Sequence, residues 1–350
     1  MNFLISETIR VIILTTISFA FALAITPFWY GFLKKHRFGK HMRESTDAPV
    51  FHELHKKKEG TPNSGGVIIW GTVVILAAFF GIMGHFFDGA WHSLSFISRS
   101  ETYLPLGALI AAALLGLLDD WLGVLKLGGG KGGGLQVRHK SIIYLIIAAI
   151  GAWWFYFRLG FDILYIPFWG NITVGWWYIP IFMFIVFATA FSANETDGLD
   201  GLLGGVSLFA FLALTAVAFV LHRYDLAAFS GMMVGALLAF LWNNIYPAKF
   251  FMGDTGSMAL GVTIAVIAML TNTALLLPLF GFILVLESLS VIIQVISKKM
   301  RGKKVFRSAP IHHHFEAIGW PESQVTMRFW IISALTSAMG LIIFFLSRAM

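Results

Sequence analysis

The chain has 350 residues, 58% of them hydrophobic and only 12% charged, with a mean hydropathy of +0.79. This excludes a soluble globular domain and marks a polytopic membrane protein. There is no cysteine, which excludes disulfides and thiol chemistry, and the net charge of +7 does not point to nucleic acid, because the basic residues lie in loops where topology accounts for them.

Ten apolar runs of spanning length fall near residues 11–33, 67–87, 103–118, 141–158, 174–191, 202–221, 226–242, 257–271, 275–297 and 328–347, and each predicts a transmembrane helix. The first would extend about 35 Å as a helix and lacks a small-residue cleavage motif, so it reads as a spanning segment and not a signal peptide. Loops after the odd-numbered runs carry 19 of the 25 Lys and Arg residues. By the positive-inside rule that face is cytoplasmic and both termini lie outside. The expectation is an all-α integral membrane protein of about ten spans, one transmembrane domain over residues 1–350, with its site on the cytoplasmic face. Asp119, Asp120, Asp197, Asp200 and Asp254 all fall on that basic face, and carboxylates converging where cations are plentiful look like a site.

In chain order, the loop at residues 34–66 is rich in Lys, Arg and His and closes on Gly60-Thr61-Pro62-Asn63-Ser64-Gly65-Gly66. It reads as a solvated basic loop against anionic headgroups or as a substrate-binding element, with Lys58 beside the glycine turn as the candidate. Asp119 and Asp120 end the third helix. Adjacent carboxylates there oppose the helix dipole and repel each other, so the pair costs stability unless a cation compensates. One could stand near a metal while the other acts as a base. The glycine run at residues 128–134 lacks P-loop spacing and follows no strand; it reads as a linker from which Lys131 could reach a diphosphate.

Asp197 and Asp200, in Asn194-Glu195-Thr196-Asp197-Gly198-Leu199-Asp200-Gly201, are spaced i, i+3 and would share a face of a helical turn. A plain Asp-Gly turn is the alternative. The most informative stretch is Phe251-Met252-Gly253-Asp254-Thr255-Gly256-Ser257. An ionised carboxylate at a membrane boundary is costly to desolvate, so Asp254 calls for a partner such as a metal ion. Gly253 and Gly256 permit close backbone approach, and Thr255 or Ser257 would cap the next helix, whose positive end would then face an anion. These features suggest Mg2+ and phosphate. Phe251 would stack on a planar base or belong to the interfacial aromatic belt. Glu287, inside the ninth run, reads as functional or partner-paired. His312, His313 and His314 follow a basic run and cannot easily point at one metal from a regular element, which favours anion binding over zinc.

Together, Leu117-Leu118-Asp119-Asp120, the stretches at residues 194–201 and 251–257, and Ala309-Pro310-Ile311-His312-His313-His314-Phe315-Glu316 resemble the phospho-N-acetylmuramoyl-pentapeptide transferases of bacterial cell-wall synthesis. These belong to the polyprenyl-phosphate N-acetylhexosamine-1-phosphate transferase superfamily. The aspartate motifs mark the superfamily; the histidine stretch, followed by Gly319-Trp320-Pro321-Glu322, marks the muramoyl-pentapeptide branch. The resemblance implies that Asp254 ligates Mg2+, that Asp119 and Asp120 serve the nucleophile or the metal, and that Asn194, Asp197 and Asp200 line the nucleotide site. Asn244 and Phe251 would contact the uridine end, and Lys58 with His312, His313 and His314 the diphosphate and sugar. Implied substrates are UDP-N-acetylmuramoyl-pentapeptide and undecaprenyl phosphate, at the bacterial inner membrane and within its lipid bilayer, and the family suggests a homodimer. The family pattern Thr-Pro-Thr-Met-Gly-Gly is replaced here by Thr61-Pro62-Asn63-Ser64-Gly65-Gly66.

The chemistry agrees with the residues. Attack of a lipid phosphate on a diphosphate gathers negative charge, so catalysis needs a cation and oriented donors. A phosphate monoester is already mostly ionised near neutral pH, which favours direct attack. Two rivals stand. A sister transferase would use UDP-N-acetylglucosamine, and a secondary transporter would place its ionisable groups at mid-membrane, where only Glu287 qualifies.

Overall fold

The structure, a computed structural model, describes residues 3–39, 58, 60–97, 100–127, 129 and 133–349. Each of the ten apolar runs is helical. The helices are α1 Phe3–Lys35, α2 Val67–Phe86, the short α3 Ala90–Leu94, α4 Ser100–Val124, α5 Val137–Trp153, α6 Tyr178–Thr196, α7 Leu202–Val220, α8 Tyr224–Asn244, α9 Asp254–Leu270, α10 Leu277–Phe280, α11 Phe282–Arg301, α12 Ile311–Ala317 and α13 Glu322–Ala349. Among the described residues eight of these are long and apolar enough to cross a bilayer, or nine if the bent α10–α11 pair counts as one.

Two runs depart from simple spans, each for a physical reason. The eighth forms α9, which is buried from residue 255 to residue 270 and packs against α4 and α6. A helix apolar on every side is a core element, and its 17 residues reach only about 25 Å. The ninth run breaks at Gly281, where the chain turns by 86° into α11. Along α11, Glu287, Ser288, Ser290, Gln294 and Ser297 face inward, while Leu289, Ile292, Ile293, Val295 and Ile296 are exposed. Polar side chains inside and apolar ones outside is the pattern a lipid solvent selects. The outer helix α1 likewise exposes Ile5, Ile9, Ile12, Phe28 and Phe32. The molecule is a multi-pass membrane protein.

Small residues let the helices close. A Cβ on Gly116 of α4 would lie 2.3 Å from the Asp254 carbonyl oxygen, and one on Gly235 of α8 would lie 2.1 Å from that of Thr15 on α1. Neither position tolerates a side chain without moving backbone. Between α5 and α6 lies a small hairpin that the helical reading omits. Its strands, β1 Ile163–Ile166 and β2 Gly170–Thr173, pair antiparallel with Ile163 opposite Thr173. Phe168 and Gly170 take positive φ at its turn.

Candidate active site

The start of α9 organises the site. Gly253 sits at φ +77, and a Cβ there would lie 2.4 Å from Asp120 Oδ2 and 2.9 Å from Asn63 Oδ1. Only glycine brings the chain this close to the end of α4. The Asp120 carboxylate accepts from the first two amides of the helix, Asp254 N at 2.9 Å and Thr255 N at 3.2 Å. It also accepts from Asn63 Nδ2 at 2.9 Å and Ser64 Oγ at 3.0 Å. The positive helix end therefore does face an anion, but that anion is Asp120 and not a ligand.

The expected caps do not form. Thr255 Oγ1 donates to the Ala113 carbonyl at 2.8 Å and accepts from Trp70 Nε1 at 3.0 Å, while Ser257 Oγ accepts from Asn194 Nδ2 at 3.1 Å. Asp120 reaches the same amides from another helix, which leaves both hydroxyls free to tie α9 to its neighbours.

The Asp254 side chain turns the other way. Its Oδ1 accepts from Asn194 Nδ2 at 2.6 Å, and its Oδ2 meets Lys140 Nζ. The same ammonium lies 2.6 Å from Asp119 Oδ2, so Lys140, at the start of α5, bridges Asp119 and Asp254. Asp119 also accepts from the Leu135 amide. Asp119 and Asp120 are both buried, whereas Asp254, Asn194 and Lys140 are half-buried. The two aspartates thus divide: Asp120 holds backbone, and Asp119 faces Asp254 across a cation.

A second cluster adjoins the first through residues 194–201. Lys58 Nζ meets Asp200 Oδ1 at 2.7 Å and also Glu322 of α13. Asp200 Oδ2 accepts from the Ala248 amide at 3.0 Å, and Glu322 accepts from the Asp200 amide at 2.7 Å. Asn244 accepts from the Gly201 amide at 3.0 Å and donates to the Phe250 carbonyl at 2.8 Å. The Lys58 ammonium stands 5.8 Å from the Tyr246 ring centre and 5.9 Å from that of Phe251. The segment at 197–201 is a turn and not a helix, so Asp197 and Asp200 do not share a helical face: Asp200 is buried in this cluster and Asp197 is half-buried at the end of α6.

Two backbone rungs zip the first loop to the α9 approach, Gly65 N to the Phe251 carbonyl and Gly66 N to the Met252 carbonyl, both at 2.8 Å. A Cβ on Gly66 would lie 2.3 Å from Gly256 Cα, which is why two glycines end that loop.

The histidines separate. His312 is fully buried, with Nδ1 3.0 Å from Glu287 Oε2, an ion-pair contact without hydrogen-bond alignment. Its ring lies against Gly198, where a Cβ would stand 2.2 Å from Nε2. Burial alone would push the imidazole down, but Glu287, backed by Glu316 and Glu195, outweighs it and holds the ring above its ordinary value. His313 pairs with Glu316 at 2.7 Å, and His314 Nδ1 accepts from the Arg307 amide at 3.1 Å. Glu287 is the partner-paired residue of the ninth run. Lys131 lies outside the described residues, as do residues 40–57 of the first loop.

Sequence reasoning missed Lys140 and the site roles of Glu322, Asn63 and Ser64. Lys140 is separated from Asp119 by the glycine run, and Glu322 looks like an ordinary first-turn acid. Among the described residues no three His, Cys, Asp or Glu side chains form a ready metal cage. The oxygens of Asp119 and Asp254, with the Asn194 amide beside them, are nonetheless the hard donors that Mg2+ takes when it keeps waters and borrows substrate phosphates.

Residues 102–272, which hold Asp119, Asp120, Asn194, Asp200 and Asp254, match the family model described as glycosyl transferase family 4. A phospho-N-acetylmuramoyl-pentapeptide-transferase of Chloroflexus aurantiacus is 36% identical over 351 residues, covering 97% of this chain and 90% of the relative. One from Geobacillus sp. (strain WCH70) is 40% identical over 335 residues, covering 93% and 95%. A third, from Geobacillus thermodenitrificans, is 39% identical over 337 residues, covering 95% and 97%. With likeness of this extent over nearly the whole chain, the chain belongs to the phospho-N-acetylmuramoyl-pentapeptide transferase family.

Proposed function

We propose that the protein transfers phospho-N-acetylmuramoyl-pentapeptide from its UDP-linked donor to undecaprenyl phosphate, with Mg2+, in the bacterial inner membrane. The observation that carries this is the meeting of Asp119, Asp254 and Asn194 around Lys140 at one end of the helices. An oxygen of the lipid phosphate attacks the sugar-linked phosphorus of the donor, a new P–O–P bond forms, and UMP leaves with the electron pair of the broken bond. The attacking phosphate is ionised near neutral pH, so no side chain need first remove a proton. Asp119 and Asp254 would hold Mg2+, with Asn194 orienting the Asp254 carboxylate, and the ion when bound would neutralise charge gathering on the diphosphate. Lys140 is the protein's own cation at this place, keeping Asp119 and Asp254 together and offering an ammonium to phosphate oxygens.

Phe251, under the Lys58 ammonium, offers a face to the uracil, and Asn244 and Asp200 shape the turn that receives the nucleotide, with Asp197 at its edge. His313 and His314 serve the diphosphate and sugar, with His312 anchoring their helix on Glu287. The basic loops face the cytoplasm, both termini lie outside, and the working unit is a homodimer.

The deciding experiment offers UDP-N-acetylmuramoyl-pentapeptide and UDP-N-acetylglucosamine separately, with undecaprenyl phosphate, in Mg2+ and in chelator. UMP release from the first donor alone, and only with Mg2+, is expected. Equal or faster release from UDP-N-acetylglucosamine, or rates unchanged by chelation, would overturn the proposal.

A further inference from the structure

Asn63 and Ser64 have no place in the chemistry above, yet both are buried and both donate to Asp120. The same carboxylate takes the Asp254 and Thr255 amides, so one side chain ties the first loop, the end of α4 and the start of α9 together. Each Asp120 oxygen accepts one loop donor and one helix amide: Oδ1 takes Asn63 and Asp254, and Oδ2 takes Ser64 and Thr255. A carboxylate free to rotate could satisfy the helix end in several poses. With the loop donors in place, its plane is fixed, and with it the direction in which the Asp254 side chain leaves the helix.

Ser64 holds this position at φ +65, a conformation that costs a non-glycine residue energy. Its Oγ contact with Asp120 is the local return on that cost. Gly253 seals the arrangement, since a Cβ there would strike Asp120 Oδ2 and Asn63 Oδ1 together.

We infer that Asn63 and Ser64 are positioning residues for the reaction: acting through Asp120, they set the N-terminus of α9 so that Asp254 meets Asp119 and Lys140 in register. The inference rests on the assignment of Asp119 and Asp254 to the reacting site, and it makes Asp120 a fixed brace and not a proton acceptor.

The test uses full-length protein in bilayer discs carrying Ser64→Gly or Asn63→Leu. Glycine suits the positive φ, so Ser64→Gly removes the hydroxyl without adding backbone strain. Each variant is expected to lose about tenfold or more in kcat, with KM for the sugar nucleotide within about twofold, as for loss of a hydrogen bond to a charged group. Amide exchange over residues 252–257 is expected to quicken in both while the thermal midpoint holds. Should Asn63→Leu fail to fold, Ser64→Gly carries the test alone. Wild-type kcat, a raised KM with kcat kept, or unaltered exchange over residues 252–257 would each overturn the inference. Exchange is read without substrate, so it still decides this point if the wild-type protein proves to use a different donor.

Discussion

Two polar clusters share one end of the helix bundle, each built on a lysine held between two acids, and they differ in what else those acids hold. At the start of α9, Asp254 meets the Asn194 and Lys140 side chains, while Asp119 meets Lys140 and accepts the Leu135 amide. At the mouth of α13, Asp200 and Glu322 grip one lysine while also accepting backbone amides. Both acids of the second cluster accept backbone amides and organise loops; in the first, Asp254 faces side chains, and it is there that we propose a metal ion binds. Asp120, next to Asp119 and chemically identical to it, is committed instead to the Asp254 and Thr255 amides and the Asn63 and Ser64 side chains.

The largest effect should follow from breaking the first cluster. Asp254→Asn is expected to lower turnover by about 10³-fold or more while leaving the thermal midpoint near wild type, checked by UMP release and a melting curve. Next comes Lys140→Gln, which leaves Asp119 facing Asp254 without their ammonium and should cost about 10²-fold in kcat. A loss confined to KM would show instead that Lys140 serves binding alone.

The second cluster should respond in stability. Glu322→Gln removes one charge from a lysine that keeps its second acid and is expected to destabilise by about 1 kcal/mol, seen as a slightly lower thermal midpoint. A variant that melts like wild type but loses kcat would erase the distinction between the clusters.

The smallest effect is on pH. His312 is raised in the folded protein, so its pairing with Glu287 contributes fully below the unfolded value near 6.5 and is lost as pH rises through the higher folded value. Glu316, Glu195 and the His313 ring, tilted 60° to it with centres 4.0 Å apart, face the same imidazole and share in the slope. The thermal midpoint should fall over that window in wild type and stay flatter in Glu287→Gln.

Much of this was legible in the residues. Hydropathy located every long helix because lipid demands unbroken apolar runs; what it did not show is that protein surrounds α9 and that Gly281 bends the ninth run. The hairpin at 163–173 escaped because its strands are only four residues each. Asp119, Asp120 and Asp254 stood out because acids at a membrane boundary carry a desolvation cost, and Asn194 because its stretch resembles a family motif. Lys140 did not, since a lysine beside a basic loop looks like topology. Nor did the pairing of Glu322 with Lys58, which joins residues far apart in the chain. The difference between Asp119 and Asp120 depends on which oxygen meets which amide, and no spacing rule carries that.

The most direct test is Mn2+, a paramagnetic stand-in for Mg2+, titrated into the full-length protein with sugar nucleotide and followed by electron paramagnetic resonance. Wild-type protein should take up the ion and the folded Asp254→Asn variant should not; equal uptake by both would contradict a cation site between Asp119 and Asp254.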